Sequence, residues 1–543
     1  MMPDSQILNI TNLLYEFAEA HPAKPAFLHP IRLTFGELIR EIDRYSVGLR
    51  RSGITNGMRT LVLIKPGIDL FAVTFALFRI GAIPVLIDAG MGRRRMTEAL
   101  SGVQVDAFAG IPKAHLLRYL SAEAFKSVSI WVSTGFRWFW RGVSLKKMKY
   151  TEYHAEAHAV DRDDLAAIFF TSGSTGAPKG VLYKTRMLQA QIEYLRTHFK
   201  YNPTETDLCT FPLIGLLLIS HGVAIVFADM DMMHPARLDP RKVFKNIQEY
   251  SCSHMFCSPM VLNRLATFGI KNNIKLGSMK RIMTAGAPVT ASVLRNFRKL
   301  LPSDAEIHTP YGATEALPVT DIVDTELLEL YDNSDSCIDG LCVGYPLNGL
   351  EVKIISISDD PVYSIEEITI QPENEVGEII IKGPNVTEAY WAIDRANELA
   401  KIEDKSSGDV WHRTGDLGRI DKRKRLWFYG RKTHRVITPE RSYFTIPVEA
   451  VFNQHPDVAR SALVGVKNRE GSVFIPIICI ELSKSKKRKI YLQEELRSMA
   501  NEHDFTGEIK DFLFHRKFPV DPRHNAKIYR EKLAIWANNK LSL

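Results

Sequence analysis

"LAAIFFTSGSTGAPKG", residues 165 to 180, runs an apolar stretch of strand length straight into a loop of glycines, hydroxyls and one lysine. Residues 165 to 170 read as a buried strand, because an unbroken apolar run of that length ending at a glycine-rich turn suits a sheet interior. The loop after it carries what a phosphate site needs. Gly173, Gly176 and Gly180 let the backbone turn sharply, Thr171, Ser172, Ser174 and Thr175 offer hydroxyls, and Lys179 brings positive charge. It is not a Walker A loop, since Pro178 precedes the lysine and Gly180 follows it.

Outward from this point, residues 58 to about 330 alternate apolar runs of strand length ("RTLVLIK", "AIPVLID", "HMFCSP", "MKRIMTAG") with amphipathic segments of helix length. That alternation predicts an α/β fold with parallel sheets covered by helices. From about 341 to 430 the texture changes to short strands and turns, as in "GLEVKIISI" and "EVGEIIIKG", which implies a small β-rich subdomain. After Arg431 alternation resumes for about 110 residues, enough for a separate α+β domain. The expected division is therefore 1–430 and 431–543.

The 543 residues are too many for one core, and 45 % hydrophobic content is ordinary for a globular protein. A formal charge of +8 suits anionic substrates and gives no ground for a nucleic-acid partner. Six cysteines at 209, 252, 257, 337, 342 and 479 show no metal-ligand spacing and read as reduced thiols. The first residues lack a basic segment followed by an apolar one, so a cytoplasmic location is expected. "FPLIGLLLISHGVAIVFA" (211 to 228) has the minimum length of a membrane span, but its proline and glycines favour a buried helix leading into a strand beside a hydrophobic pocket. "WVSTGFRWFWRGVSLKKMKY" (131 to 150) mixes aromatic and basic residues, which suits a membrane interface or docking surface as well as a loop packed on its own domain.

Four further motifs follow the loop in order: "YGATE" (311 to 315), "TGDLG" (414 to 418), "GR" (430 and 431) and "NAKIYR" (525 to 530). Together they resemble the adenylate-forming superfamily of acyl-CoA synthetases, luciferases and peptide-synthetase adenylation domains, over essentially the whole chain. The resemblance implies a large N-terminal domain with two parallel sheets, a mobile C-terminal domain, and ATP with Mg²⁺ as cofactors. It further implies that the 171–180 loop holds the β and γ phosphates and that Glu315 binds Mg²⁺, with the Thr314 hydroxyl near the phosphates. Tyr311 and Gly312 would face adenine from one side and Gly286, Ala287 and Pro288 from the other, while Asp416 would accept the ribose hydroxyls. Arg431 would follow ribose and phosphate. Lys527 would be catalytic, entering with the C-terminal domain to offset negative charge on the carboxylate and α-phosphate.

Departures from that pattern bear on what attacks the adenylate. Gly215 stands where most acyl-CoA synthetases have a histidine, implying a wider or differently gated acyl tunnel. Glu440 and Ser442 replace a glycine and an arginine beside the pantetheine tunnel, where an acidic side chain would repel coenzyme A phosphates. Ala526 precedes the lysine in place of the common glycine. With "VLIDAGMGRR" and "YGATEALPV", these features most resemble the β-lactone synthetases of bacterial long-chain olefin biosynthesis. The implied substrate is a long-chain 2-alkyl-3-hydroxy acid whose own 3-hydroxyl closes the lactone, with coenzyme A doubtful. The 211–228 stretch would then serve the alkyl chains, and residues 131 to 150 would meet a membrane surface or other olefin-pathway enzymes. A long-chain acyl-CoA ligase and a fatty acyl-AMP ligase share nearly every ATP-site residue, and an inactive scaffold is an alternative of another class.

Overall fold

The structure is a computed structural model. It describes residues 9–87, 91–101, 103–135, 142–145, 155–170, 178–332, 338–467, 474–483, 489–520 and 528–541. Two parallel sheets and one antiparallel sheet form the large N-terminal part, and a three-stranded sheet with its helices forms a C-terminal domain.

The quoted strand Leu165–Phe170 lies inside the first seven-stranded sheet, parallel to Ile83–Ile87 and antiparallel to Gly180–Lys184, so residues 171–179 connect two neighbouring strands. Arg59–Leu63, Ala107–Gly110 and Ile130–Ser133 continue this sheet in parallel. Both faces of 165–170 are covered, which is why it reads as a continuous apolar run and not an alternating one. The second seven-stranded sheet sets Glu306–His308, Arg281–Thr284, His254–Cys257, Thr206–Cys209, Ala224–Phe227 and Pro25–His29 in parallel. Helix starts follow local chemistry. Thr34 and Glu37 form a reciprocal capping box ahead of Phe35–Arg51, and the Asp239 carboxylate caps Pro240–Glu249.

The two parallel sheets share one core. Phe27 and Phe227 of the second sheet stack at 5.6 Å, and Phe71, from helix Ile68–Arg79 of the first, meets the Phe227 ring edge-on at 5.3 Å. The stretch at 211–228 forms helix Pro212–Ile219 and strand Ala224–Phe227, as expected of a buried helix leading into a strand. Among the described residues no helix is long and apolar enough to cross a membrane.

The antiparallel sheet runs through Tyr311–Ala313, Ala316–Asp321, Leu341–Pro346, Leu426–Arg431, Asp409–Ile420, Gly377–Lys382 and Glu351–Ile355. The strand-and-turn texture expected from 341 thus takes in the 311–321 hairpin as well. Segment 386–391 links this sheet to the first parallel one: Trp391 N–H donates to Gly180 O at 2.7 Å, and Val181 bridges Tyr390. In the C-terminal domain, Val458–Lys467, Phe474–Leu482 and Asp511–His515 form the sheet, packed by Thr445–Asn453, Lys489–Asn501 and Arg530–Leu541.

Candidate active site

The 311–321 hairpin carries the centre of the site. Gly312 lies so close to the returning strand that a Cβ there would sit 2.6 Å from Ala316 O, so no other residue fits. Its neighbour Tyr311 donates from its hydroxyl to Asp416 Oδ2 at 2.6 Å. Asp416 and Arg431 are register partners on adjacent strands, and Arg431 Nε lies 3.0 Å from Asp416 Oδ1. Burial and the Asp416 charge push the Tyr311 hydroxyl well above its ordinary pKa, so it stays a donor. Gly286 lies with φ of +87° in the turn between strand Arg281–Thr284 and helix Ala291–Arg298, with Ala287 and Pro288 beside it.

At the hairpin tip, Glu315 Oε1 accepts the Tyr390 hydroxyl at 2.8 Å, and Glu315 O accepts Thr387 N–H at 2.9 Å. The backbone carbonyl of Thr314 accepts the Tyr183 hydroxyl. Two lysines stand over the Tyr390 ring, Lys179 at 4.7 Å and Lys401 at 5.4 Å from its centroid. Burial lowers the pKa of Lys179, with Glu315 opposing, and pushes Lys401 down to about 7 against Glu315 and Glu388. Burial first, and then Lys401, hold His412 well below its ordinary value, so it is neutral, and its Nδ1 donates to Ala400 O at 3.1 Å. Two lysines beside one carboxylate make an electropositive patch when both are protonated.

The structure therefore joins Lys179, Thr314, Glu315, Tyr311, Gly312, Asp416 and Arg431 around one hairpin. Thr171, Ser172, Gly173, Ser174, Thr175, Gly176 and Lys527 lie outside the described residues. The flanks of the lysine segment are pinned together, because Val520 bridges Ile528 and Tyr529 N–H donates to Pro519 O at 2.9 Å. Tyr390 and Lys401 were not legible in the sequence: "ELAKIE" (398 to 403) carries no motif, and only the fold brings it to Glu315.

One expectation changes. Gly215 does not widen a tunnel: a Cβ there would lie 3.0 Å from Cys209 Sγ and 3.0 Å from the Phe71 ring, so the glycine permits close helix contact. Within 211–228, Ile214 to Ile219 are buried in the core, and Phe227 and Ala228 line a cavity of about 710 Å³ shared with Met230, Met232 and Met233. Trp131, partly buried, packs against Phe108 at 5.2 Å, while residues 136–141 and 146–150 lie outside the described residues. Glu440 is exposed at the tip of the Val436–Ile437/Ser442–Tyr443 hairpin.

Residues 14–391 match the family model described as AMP-binding enzyme. The chain is 40 % identical to the olefin beta-lactone synthetase of Xanthomonas campestris over 94 % of its own length and 91 % of the relative's. It is also 40 % identical to the Stenotrophomonas maltophilia olefin beta-lactone synthetase, over 94 % and 92 %. Among solved structures, o-succinylbenzoate coenzyme A synthetase from Bacillus subtilis, in complex with ATP and magnesium ion, aligns with a TM-score of 0.75 at 20 % identity, covering 96 % of this chain and 99 % of that one.

Proposed function

The chain belongs to the AMP-binding enzyme family, and from that premise we propose that it activates a long-chain 2-alkyl-3-hydroxy acid with ATP and closes it to a β-lactone. The observation that carries activation is the convergence of Tyr311, Asp416 and Arg431 with Glu315, Tyr390, Lys179 and Lys401 on one hairpin. The likeness to two olefin beta-lactone synthetases supports the second step.

In this reading a substrate carboxylate oxygen attacks the α-phosphorus, and the bond to pyrophosphate breaks. Glu315, with Oε1 engaged by Tyr390, fits as a hard oxygen ligand for Mg²⁺, which would neutralise phosphate charge. Tyr311 orients Asp416 for the ribose, and Lys179 and Lys401 flank the phosphates. Lys527, outside the described residues, would offset charge in the transition state. The 3-hydroxyl oxygen then attacks the activated carbonyl carbon, its proton leaves to solvent, and the carbonyl–phosphate bond breaks to release AMP. Holding the hydroxyl against the anhydride supplies the effective concentration that a strained ring needs.

We place the hinge between domains 1–430 and 431–543 at Arg431–Arg435. Lys432 Nζ reaches Ser358 O at 2.6 Å and Arg435 reaches Asp359 at 2.6 Å, which anchors that segment to the N-terminal part. Any contact with a membrane surface or with other olefin-pathway enzymes would fall to residues 131–150, of which Trp131 packs partly against Phe108. Incubating a 2-alkyl-3-hydroxy acid with Mg-ATP and no thiol tests the proposal. Mass and NMR analysis should show β-lactone with one AMP and one pyrophosphate; accumulated acyl-adenylate, or product only with coenzyme A, would overturn it.

A further inference from the structure

His198, His308 and Asp321 come together from three separate elements. His198 directly follows helix Thr185–Thr197, His308 ends strand Glu306–His308, and Asp321 ends strand Ala316–Asp321. Asp321 Oδ2 lies 2.6 Å from His308 Nδ1 and 3.0 Å from His198 Nε2, and one donor atom from each residue falls within 4.8 Å of the others. Tetrahedral ligands at zinc distances stand about 3.4 Å apart, so small shifts would open this cluster around an ion.

Two observations separate it from an ordinary hydrogen-bond network. Asp321 is buried, with its side chain 3 % exposed, yet its Oδ1 has no hydrogen-bond partner among the described residues. An unpartnered buried carboxylate oxygen is costly unless a cation takes it. Second, His308 stands between two carboxylates: Nδ1 faces Asp321 and Nε2 faces Glu306 Oε2 at 3.3 Å. Nε2 thus faces an outer carboxylate, the kind of partner that usually orients a ligating histidine. Phe199, fully buried, meets both imidazoles edge-on at 4.7 and 5.2 Å and orients them, while the His198 side chain, 39 % exposed, leaves access from solvent.

We propose that His198, His308 and Asp321 bind one divalent transition-metal ion of the zinc class, in a site separate from Glu315. Two imidazoles and a carboxylate suit zinc or cobalt better than magnesium, which prefers oxygen ligands. The bound ion would tie the end of helix Thr185–Thr197 to the two strand ends that flank Tyr311.

The test uses tag-free full-length protein stripped with a chelator and titrated with Co²⁺. One equivalent should give the visible spectrum of a low-coordinate site, displaced by Zn²⁺ and retained in excess Mg²⁺. His198→Gln, at a half-exposed position, should weaken binding at least tenfold while its metal-free melting curve matches the parent. No stoichiometric binding, displacement by Mg²⁺, or a spectrum unchanged in His198→Gln would overturn the proposal, leaving a hydrogen-bond network only.

Discussion

The hydroxyl of Tyr311 donates to Asp416 Oδ2 at 2.6 Å across 105 residues of chain, while Arg431 holds the other carboxylate oxygen. In the proposed site the carboxylate is thus oriented before any ribose arrives. A hydrogen bond to a charged group contributes about 1.5–3 kcal/mol. Tyr311→Phe should therefore raise the KM for ATP roughly 10- to 100-fold with a small change in the KM for the acid, read by pyrophosphate release.

Lys401 makes the proposed ATP site sensitive to pH. Its folded pKa of about 7 lies below the ordinary 10.5, so kcat/KM for ATP should fall as pH rises through about 7, and Lys401→Met should flatten that limb. Stability follows the opposite sense. The burial cost is full below about 7 and fades as pH rises towards 10.5, because only the unfolded lysine is then charged. The variant should melt higher than the parent at neutral pH, with the gap closing at alkaline pH.

Gly215→His should destabilise the fold by about 1–3 kcal/mol, the usual cost of overfilling a well-packed site. Cys209 and Phe71 leave no space for the ring. A lowered melting temperature with an unchanged ranking of acyl chain lengths is expected; a shifted ranking at unchanged stability would restore a tunnel role.

Arg530 lies 2.7 Å from Glu449 Oε2 and stands three positions after Lys527. Burial raises the Glu449 pKa, with Arg530 opposing. Arg530→Met would strand that carboxyl, costing about 3–5 kcal/mol. Adenylation should slow with it, and adding Glu449→Gln should recover part of the melting temperature.

The α/β class, the strand at 165–170 and the order of the motifs were legible in the sequence, because each rests on residues close together in the chain. Buried strands need apolar runs and phosphate loops need glycine, and both leave local marks. The hold of Tyr311 on Asp416, the two lysines over Tyr390, the close contact at Gly215 and the His198–His308–Asp321 cluster have no such marks. Each depends on strand register and sheet order that bring distant positions within a few ångströms, and only the tertiary structure decides those distances.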